Sequence, residues 1–219
     1  MIIERTEDFK LDFKTVPREL IDPNGSLQSF YEIRHLYHSA IKEVSTKLEI
    51  LDKEFQVKHD YNPIHHMECR VKSITSTFNK VVAKGYKINT EGIKKITDIA
   101  GIRVICKYID DIYHIANLLL QQNDVELIRE SDYIKNPKPS GYRSLHYVVL
   151  VPVFLSDRVE KVPVEIQIRT IVMDTWASLE HELRYKSNDA VPEEAIAELQ
   201  KCAYDMWNID NLMQKLHKR

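Results

Sequence analysis

Hydrophobic residues recur along this chain with two different spacings. Apolar side chains at every third or fourth position predict amphipathic helices over residues 26–55, 64–83, 110–122, 170–185 and from 192 onward. Alternating or continuous β-branched runs predict strands at 102–106, 125–128, 144–153 and 164–170. Strands separated by helices, with a turn near residue 157, predict an α+β (α/β-like) domain built on a mixed β-sheet.

The stretch 164–170 shows the alternation most clearly. It directs three branched apolar residues to one face and Glu165, Gln167 and Arg169 to the other. These three polar groups could hold a metal, take a proton and bind a phosphate. A solvated edge strand would show the same alternation, so this stretch alone leaves both interpretations open.

A second pair of charges accompanies the strand at 102–106. Asp98 and Arg103 stand in an otherwise apolar stretch, and Gly101 allows the backbone to approach a neighbour closely. An acid and a base beside a core strand are either a buried ion pair or ligands for a metal and a phosphate.

Basic residues mark the predicted helix at 64–83. Lys72, Ser76 and Lys80 follow one another at intervals of four, with Arg70 nearby and no acid between them. This arrangement indicates either a solvated basic face or a cradle in which ammonium and hydroxyl groups align along a polyphosphate.

The segment 129–146 is a polar loop that runs into a strand. Pro137, Pro139 and Gly141 exclude a helix there. Positive charge and an aromatic ring suited to stacking are carried by Lys135, Lys138, Arg143 and Tyr142. We interpret this loop as a second anion-binding element.

Composition narrows the class of protein. The chain has 219 residues, 43% hydrophobic and 29% charged, with a net charge of −2, which is typical of a soluble globular protein. No apolar run is long enough for a membrane span, and the N-terminus lacks a signal-peptide pattern. The three cysteines indicate buried thiols in a reducing cytoplasm. The net charge gives no indication of DNA binding, so an anion site must be local.

Domain organisation follows from the same patterns. We expect an N-terminal tail at residues 1–25 and a single domain at 26–219. Asp110 is the expected N-cap of the helix at 110–122. His65 and Cys69 could form a metal pair on a helix, but no second pair completes a tetrahedral site.

Together these elements suggest phosphoryl-type transfer between two nucleotides. Carboxylates on neighbouring strands, Asp98 and Glu165, could share one Mg²⁺ with substrate phosphates. Two cationic surfaces would flank that metal, and no glycine-rich P-loop is present.

Four motifs in order resemble the (p)ppGpp synthetases. They are RVKS at 70–73, DIAGIR at 98–103, GYRSLH at 141–146 and EIQIRT at 165–170. The resemblance covers residues 28–215. The chain resembles in particular the small alarmone synthetases of the RelP type, which carry no hydrolase domain. It implies a nucleotidyltransferase-like fold with long terminal helices and transfer of pyrophosphate from ATP to the 3′-hydroxyl of GDP or GTP, releasing AMP.

The resemblance also implies residue roles. Asp98 would be the main Mg²⁺ ligand, and Glu165 would take the proton from the acceptor hydroxyl, help the metal, or both. The ATP-binding residues would be Arg70, Lys72, Ser76, Lys80 and Arg103. The GDP/GTP-binding residues would be Lys138, Tyr142, His146, Gln167 and Asp174. The chain departs from some relatives at Ser131, where they have Arg, so their acceptor preference does not carry over.

Rival functions remain at this point. A catalytically silent guanine-nucleotide or RNA sensor of the same fold would not need the paired acids Asp98 and Glu165. An ordinary nucleotidyltransferase would release pyrophosphate instead of AMP. The long apolar stripes of the first and last helices predict a homo-oligomer, by resemblance a homotetramer, while regulation by RNA is not indicated.

Overall fold

The computed structural model describes residues 2–4, 28–186 and 192–218. The strands are β1 (Ile2–Glu4), β2 (Ile64–Val71), β3 (Ala100–Cys106), β4 (Glu126–Asp132), β5 (Leu145–Phe154) and β6 (Val159–Thr170). The helices are α1 (Gln28–Lys58), α2 (Ile74–Ala83), α3 (Thr90–Lys94), α4 (Ile109–Leu120), α5 (Ile171–Lys186) and α6 (Glu193–His217).

One mixed sheet organises the molecule. Its strand order is β1-β2-β3-β6-β5-β4. The pairs β1–β2 and β3–β6 are parallel, whereas β2–β3, β6–β5 and β5–β4 are antiparallel. The predicted α+β fold with a mixed sheet is confirmed.

Helix α1 covers one face of this sheet. Its stripe from Ile33 to Leu48 is buried, and the helix packs against β2, β3, β5 and β6. The inward residues of β6, Val164, Ile166 and Ile168, are fully buried. The opposite face of the central strands is therefore left for polar groups.

The predicted helix at 64–83 is wrong in its first half. Residues Ile64–Val71 form strand β2, which pairs with β3, and only Ile74–Ala83 is helical. Met67 and Cys69 are buried two residues apart, which is strand spacing, and a register shift near His66 obscures the alternation. Pairing with the core strand β3 overrides the local helical pattern.

Smaller differences concern element ends. Tyr108, not Asp110, is the N-cap of α4, because the Asp111 carboxylate accepts a hydrogen bond from the Tyr108 backbone N–H. Part of the expected tail forms strand β1, and the rest of it lies outside the described residues. Cys69 and Cys106 are buried as expected, but Cys202 is exposed.

Helices α5 and α6 pack against each other beside the sheet. The stripe predicted for the last helix is only partly covered: Ala203 is buried, whereas Ile209, Met213 and Leu216 are exposed. Among the helices in the described ranges, none has the length and apolarity to cross a membrane.

Candidate active site

Polar side chains form a row across the open face of the sheet. The strand registers place Glu68 opposite Arg103, Arg103 opposite Gln167, and Gln167 opposite His146. Residues paired in this way point to the same face, so side chains from four strands meet over one surface. A cleft of about 450 Å³ opens there; its lining includes Arg70, Asp98, Arg103, Glu165 and Gln167.

Asp98 is held by two lysines at the edge of this cleft. Its Oδ2 accepts hydrogen bonds from Lys72 Nζ at 2.6 Å and Lys80 Nζ at 2.5 Å. Burial favours the protonated acid, but these two ammonium groups outweigh it and hold the pKa of Asp98 below its ordinary value. The carboxylate is thus ionised at neutral pH.

The lysines therefore do not form a solvated basic face, as one interpretation of the sequence had it. Lys80 lies on α2, whereas Lys72 precedes the helix, whose N-cap is Ser73. Ser76 stands exposed in the first turn and accepts a hydrogen bond from the Ser73 hydroxyl. Both ammonium groups reach one carboxylate even though the predicted helical stripe is only half helical.

Glu165 lies on β6, directly opposite Gly101 of β3. Its Oε2 accepts a hydrogen bond from Gln167 Nε2 at 2.9 Å, and its Oε1 is 3.8 Å from His146 Nδ1. Burial alone would raise the pKa of Glu165, yet His146 and Gln167 hold that pKa below its ordinary value. Glu165 is thus a partly buried, ionised carboxylate that can accept a proton.

The two carboxylates fit a hard divalent cation. The Oδ1 atom of Asp98 is buried and has no hydrogen-bond partner among the described residues. Mg²⁺ is usually bound by one or two carboxylates and by substrate phosphates rather than by a complete protein cage. In the described ranges no cluster of three or more His, Cys, Asp or Glu side chains forms such a cage.

His65 and Cys69, which the sequence made a possible metal pair only if they were helical, are not on a helix. Both residues lie on strand β2, with His65 exposed and Cys69 buried. The i, i+4 spacing makes two side chains neighbours on a helix but not along an extended strand.

Arg103 is fixed by two acids. Its Nη1 lies 3.1 Å from Glu68 Oε2 and 3.2 Å from Asp174 Oδ1. Sequence reasoning missed Glu68, because a residue on the wrongly predicted helix could not be placed opposite Arg103. An alternation of buried Met67 and Cys69 was the signal that could have revealed the strand.

Tyr142 and His146 mark the other side of the cleft. The Tyr142 hydroxyl lies 2.9 Å from His146 Nε2 and accepts a hydrogen bond from Arg169 Nη2 at 2.8 Å. Arg169 is only 3% exposed and also donates to Gln167 and Asp174. Arg169 thus ties β6, α5 and the loop together from within the fold.

Lys138 lies over two aromatic rings. Its Nζ is 4.7 Å from the centroid of Tyr133 and 4.8 Å from that of Tyr142. The side chain itself is exposed. The candidate ATP residues thus lie on or beside β2, α2 and β3, and the candidate acceptor residues on β5, β6, α5 and the loop before β5; the two sets meet where Arg103 contacts Asp174.

Comparison with known proteins gives a consistent result. The model of a protein family described as a region found in RelA / SpoT proteins matches residues 69–190. The GTP pyrophosphokinase YwaC of Bacillus subtilis is 46% identical over 184 residues, which cover 84% of this chain and 88% of that protein.

Solved structures match this chain over similar fractions of its length. The small alarmone synthetase 2 of Bacillus subtilis has a TM-score of 0.79 and 43% identity, covering 86% of this chain and 98% of that one. The small alarmone synthetase 1 of Bacillus subtilis, bound to its product pppGpp, has a TM-score of 0.82 and 32% identity, covering 87% and 97%.

Proposed function

We propose, since this chain belongs to the RelA/SpoT family and is a small alarmone synthetase, that its cleft is divided between two nucleotides. The enzyme synthesises (p)ppGpp by transferring pyrophosphate from ATP to the 3′-hydroxyl of GDP or GTP, with release of AMP. The observation that carries the division is the position of Asp98 and Glu165 between a lysine cluster and an aromatic loop.

ATP occupies the side formed by β2, α2 and β3. Lys72 and Lys80 bind its phosphates, since their ammonium groups already converge on one point beside the cleft. Ser76 adds a hydroxyl from the first turn of α2. Arg70 and Arg103, which line the cleft, complete the ATP-binding set.

GDP or GTP occupies the side formed by β5, β6 and the loop before β5. Tyr142 stacks on guanine, and Lys138 and His146 bind the acceptor phosphates. Gln167 orients the acceptor through its bond to Glu165. Asp174 accepts hydrogen bonds from the guanine N–H groups, which a carboxylate is suited to do.

Transfer of the pyrophosphoryl group needs a base and charge neutralisation. Glu165 takes the proton of the acceptor 3′-hydroxyl, and the freed oxygen attacks the β-phosphorus of ATP. The bond between the β-phosphorus and the bridging oxygen to the α-phosphate breaks, so AMP leaves with that oxygen. Lys72 and Lys80 neutralise the charge that develops on the phosphates.

Mg²⁺ is the cofactor that this donor set fits. Asp98 would hold it through the unpartnered Oδ1, with help from Glu165. Bound there, Mg²⁺ would supply further neutralisation of phosphate charge.

The product set tests this function. We expect purified protein with ATP, GDP and Mg²⁺ to form AMP and a guanine nucleotide with two additional phosphates, resolved by anion-exchange chromatography. Release of inorganic pyrophosphate with an adenylated product would instead identify an ordinary nucleotidyltransferase. Binding of guanine nucleotide without turnover would identify a sensor module.

Assembly and location complete the proposal. We place the enzyme in the cytoplasm, where its thiols stay reduced, and as a homotetramer. The exposed apolar residues of α5 and α6 support self-association.

A further inference from the structure

Helix α6 makes a continuous line of contacts with the loop that carries Tyr142. Gln200 Nε2 donates a hydrogen bond to the Pro139 carbonyl at 2.8 Å. The guanidinium of Arg143 lies 4.2 Å from the centre of the Trp207 ring. Gln200 and Trp207 are seven residues apart and therefore lie on one face of the helix.

Between these two contacts, the backbone of the loop at Gly141 approaches helix α6 closely. Gly141 has a φ of +91°, and a Cβ built on it would overlap the Cβ of Ala203. Ala203 is three residues from Gln200 and four from Trp207, so it shares their face. Pro139, Gly141 and Arg143 thus all meet the same face of α6.

Arg143 links this helix to the far end of the loop. Its Nη1 donates a hydrogen bond to the Ile134 carbonyl at 2.7 Å. Its Nε is buried and has no hydrogen-bond partner within the described part of the chain. The guanidinium is therefore held by the Trp207 ring on one side and by the loop backbone at one nitrogen.

A gap lies behind the loop at this point. A shallow pocket that opens to solvent is lined by Arg143, Trp207, Trp176, Met173 and Gly141, among others. Arg143 and Trp207 both line this pocket, so the space beside their contact is not filled by other side chains. Loss of the Arg143–Trp207 contact would leave the loop room to shift.

The neighbours of Arg143 in the loop face the acceptor side. Tyr142 bonds to His146 and Arg169, and Lys138 lies over the Tyr142 ring. The Tyr142 carbonyl accepts a hydrogen bond from the Lys138 backbone N–H at 3.2 Å, which joins these two residues. A shift of the loop would move both groups that the proposed function assigns to the acceptor.

We propose that Arg143 and Trp207 are positioning residues, which dock the acceptor loop on α6 and thereby set the affinity for the guanine nucleotide but not for ATP. This inference rests on the proposed function, because it assumes that Tyr142 and Lys138 bind the acceptor. The residues that we assign to ATP lie on or beside β2, α2 and β3, whereas this line is formed by α6 and the loop before β5.

Nucleotide binding by variants tests the inference. We compare Arg143→Met, Arg143→Lys, Trp207→Leu and Trp207→Phe by calorimetry, with GDP alone and with a non-hydrolysable ATP analogue alone. Arg143→Met and Trp207→Leu should raise the Kd for GDP roughly three- to thirtyfold, the factor expected from a lost cation–π contact. Trp207→Phe keeps a ring and should stay within about threefold of wild type.

A double variant separates positioning from general damage. Arg143→Met combined with Trp207→Leu should bind GDP no more weakly than either single variant, because both remove the same contact. Arg158→Lys, an exposed arginine in the β5–β6 turn, is the matched control and should change neither affinity.

Several results would overturn the inference. They are unchanged GDP binding in the folded variants, equal losses for GDP and the ATP analogue, or additive losses in the double variant. If Trp207→Leu does not fold, wild-type GDP affinity in folded Arg143→Met would be decisive against it, since methionine has no charge to place over the Trp207 ring.

The same design separates this inference from the proposed function. GDP binding without ATP requires no turnover. A wild-type protein that binds GDP but forms no AMP would contradict the proposed function and leave the inference to be judged by the variants. Failure of the wild type to bind GDP would overturn both.

Discussion

At the scale of single residues, Glu165 is the group whose role is most sharply defined. It is a partly buried carboxylate kept ionised by His146 and Gln167. We expect Glu165→Gln to lower turnover by roughly 10²–10⁴-fold, the usual contribution of a general base, while ATP affinity stays close to wild type. Single-turnover kinetics and ATP binding measure the two effects.

Glu160→Gln is the control, on the same strand but in surface ion pairs with Lys94 and Arg158. Turnover of Glu165→Gln near the wild-type rate would remove Glu165 from the role of base.

The carboxylate of Glu165 also sets a lower pH limit for activity. Activity that needs this carboxylate ionised is lost as pH falls through its pKa. Because the pKa of Glu165 is held below its ordinary value, kcat/KM should keep its neutral-pH value to lower pH than a glutamate of ordinary pKa would allow, for as long as the protein remains folded.

The lysine pair makes a second prediction at this scale. Lys72→Ala and Lys80→Ala should each raise the Kd for ATP more than the Kd for GDP, because both ammonium groups lie on the proposed ATP side. The double variant should be weaker for ATP than either single one. Lys94→Ala, a surface lysine paired with Glu160, is the control. Equal losses for both nucleotides would count against the division of the cleft.

At the scale of elements, sequence periodicity predicted most of the fold. The helices α1, α4, α5 and α6 and the central strands β3, β5 and β6 were expected from their apolar spacing. Strand β2 was not, because its identity depends on pairing with β3, which lies some thirty residues further on. The same long-range pairing brings Glu68 to Arg103, so that part of the site could not be read from local pattern.

The candidate site was predicted from sequence motifs, whereas the contacts between its residues were not predicted. Asp98 and Glu165 line one cleft and Tyr142 lies beside it through its bond to Arg169, whereas the roles assigned to these residues stay predictions. The mutual hydrogen bonds of Tyr142, His146 and Arg169 could not be predicted, since residues from two strands and a loop meet only after the sheet forms. Arg169 in particular could have faced solvent or substrate.

Gly141 tests the packing of the loop against α6. Gly141→Ala should lower the free energy of unfolding by roughly 1–3 kcal/mol, because alanine disfavours a φ of +91° and its Cβ would overlap Ala203. Adding Ala203→Gly should recover part of the loss by removing the overlap but not the backbone strain. Urea denaturation measures both. A fully stable single variant would contradict the close approach.

Asp210 joins three elements and should make stability depend on pH. It accepts a hydrogen bond from Thr170 Oγ1, and Thr170 Oγ1 in turn accepts one from the Met173 N–H at the start of α5. Burial raises the pKa of Asp210 to about 6, only partly opposed by the Thr170 bond.

The folded protein therefore binds a proton more tightly than the unfolded chain, whose aspartate pKa is near ~3.9. The contribution of Asp210 to the free energy of unfolding is fully present below pH ~4 and is lost as pH rises through its folded-state pKa of about 6. Asp210→Asn should remove this loss and gain roughly 2–3 kcal/mol relative to wild type at pH 7. Thermal denaturation at pH 5 and pH 7 measures the difference. Parallel pH profiles for the two proteins would contradict the assignment.

At the scale of the whole molecule, one of the two arguments for self-association is revised. The apolar stripe of α1 is covered by the chain's own sheet, so its length does not call for a partner. Helices α5 and α6 do expose large apolar side chains, namely Leu179, Ile209, Leu212, Met213 and Leu216. The four on α6 are spaced i, i+3, i+4 and i+7 and so share one helix face, and an exposed apolar face is typical of an interface between subunits.

We expect light scattering of the wild-type protein to give a mass four times that of the chain. Ile209→Glu combined with Leu212→Glu should reduce that mass, because like charges buried without partners oppose association. Val57→Lys, which alters an exposed apolar residue of α1, should not. A monomeric wild type at micromolar concentration would contradict the tetramer.

The pairing of Lys72 and Lys80 with one oxygen of Asp98 has a thermodynamic consequence. While the lysines neutralise the carboxylate, they are not available to phosphate, and the carboxylate is less attractive to a cation. A cation at Asp98 would release both lysines to ATP, and ATP would release Asp98 to the cation. The two ligands should therefore bind with positive cooperativity, and by linkage each should increase the affinity of the other by the same factor.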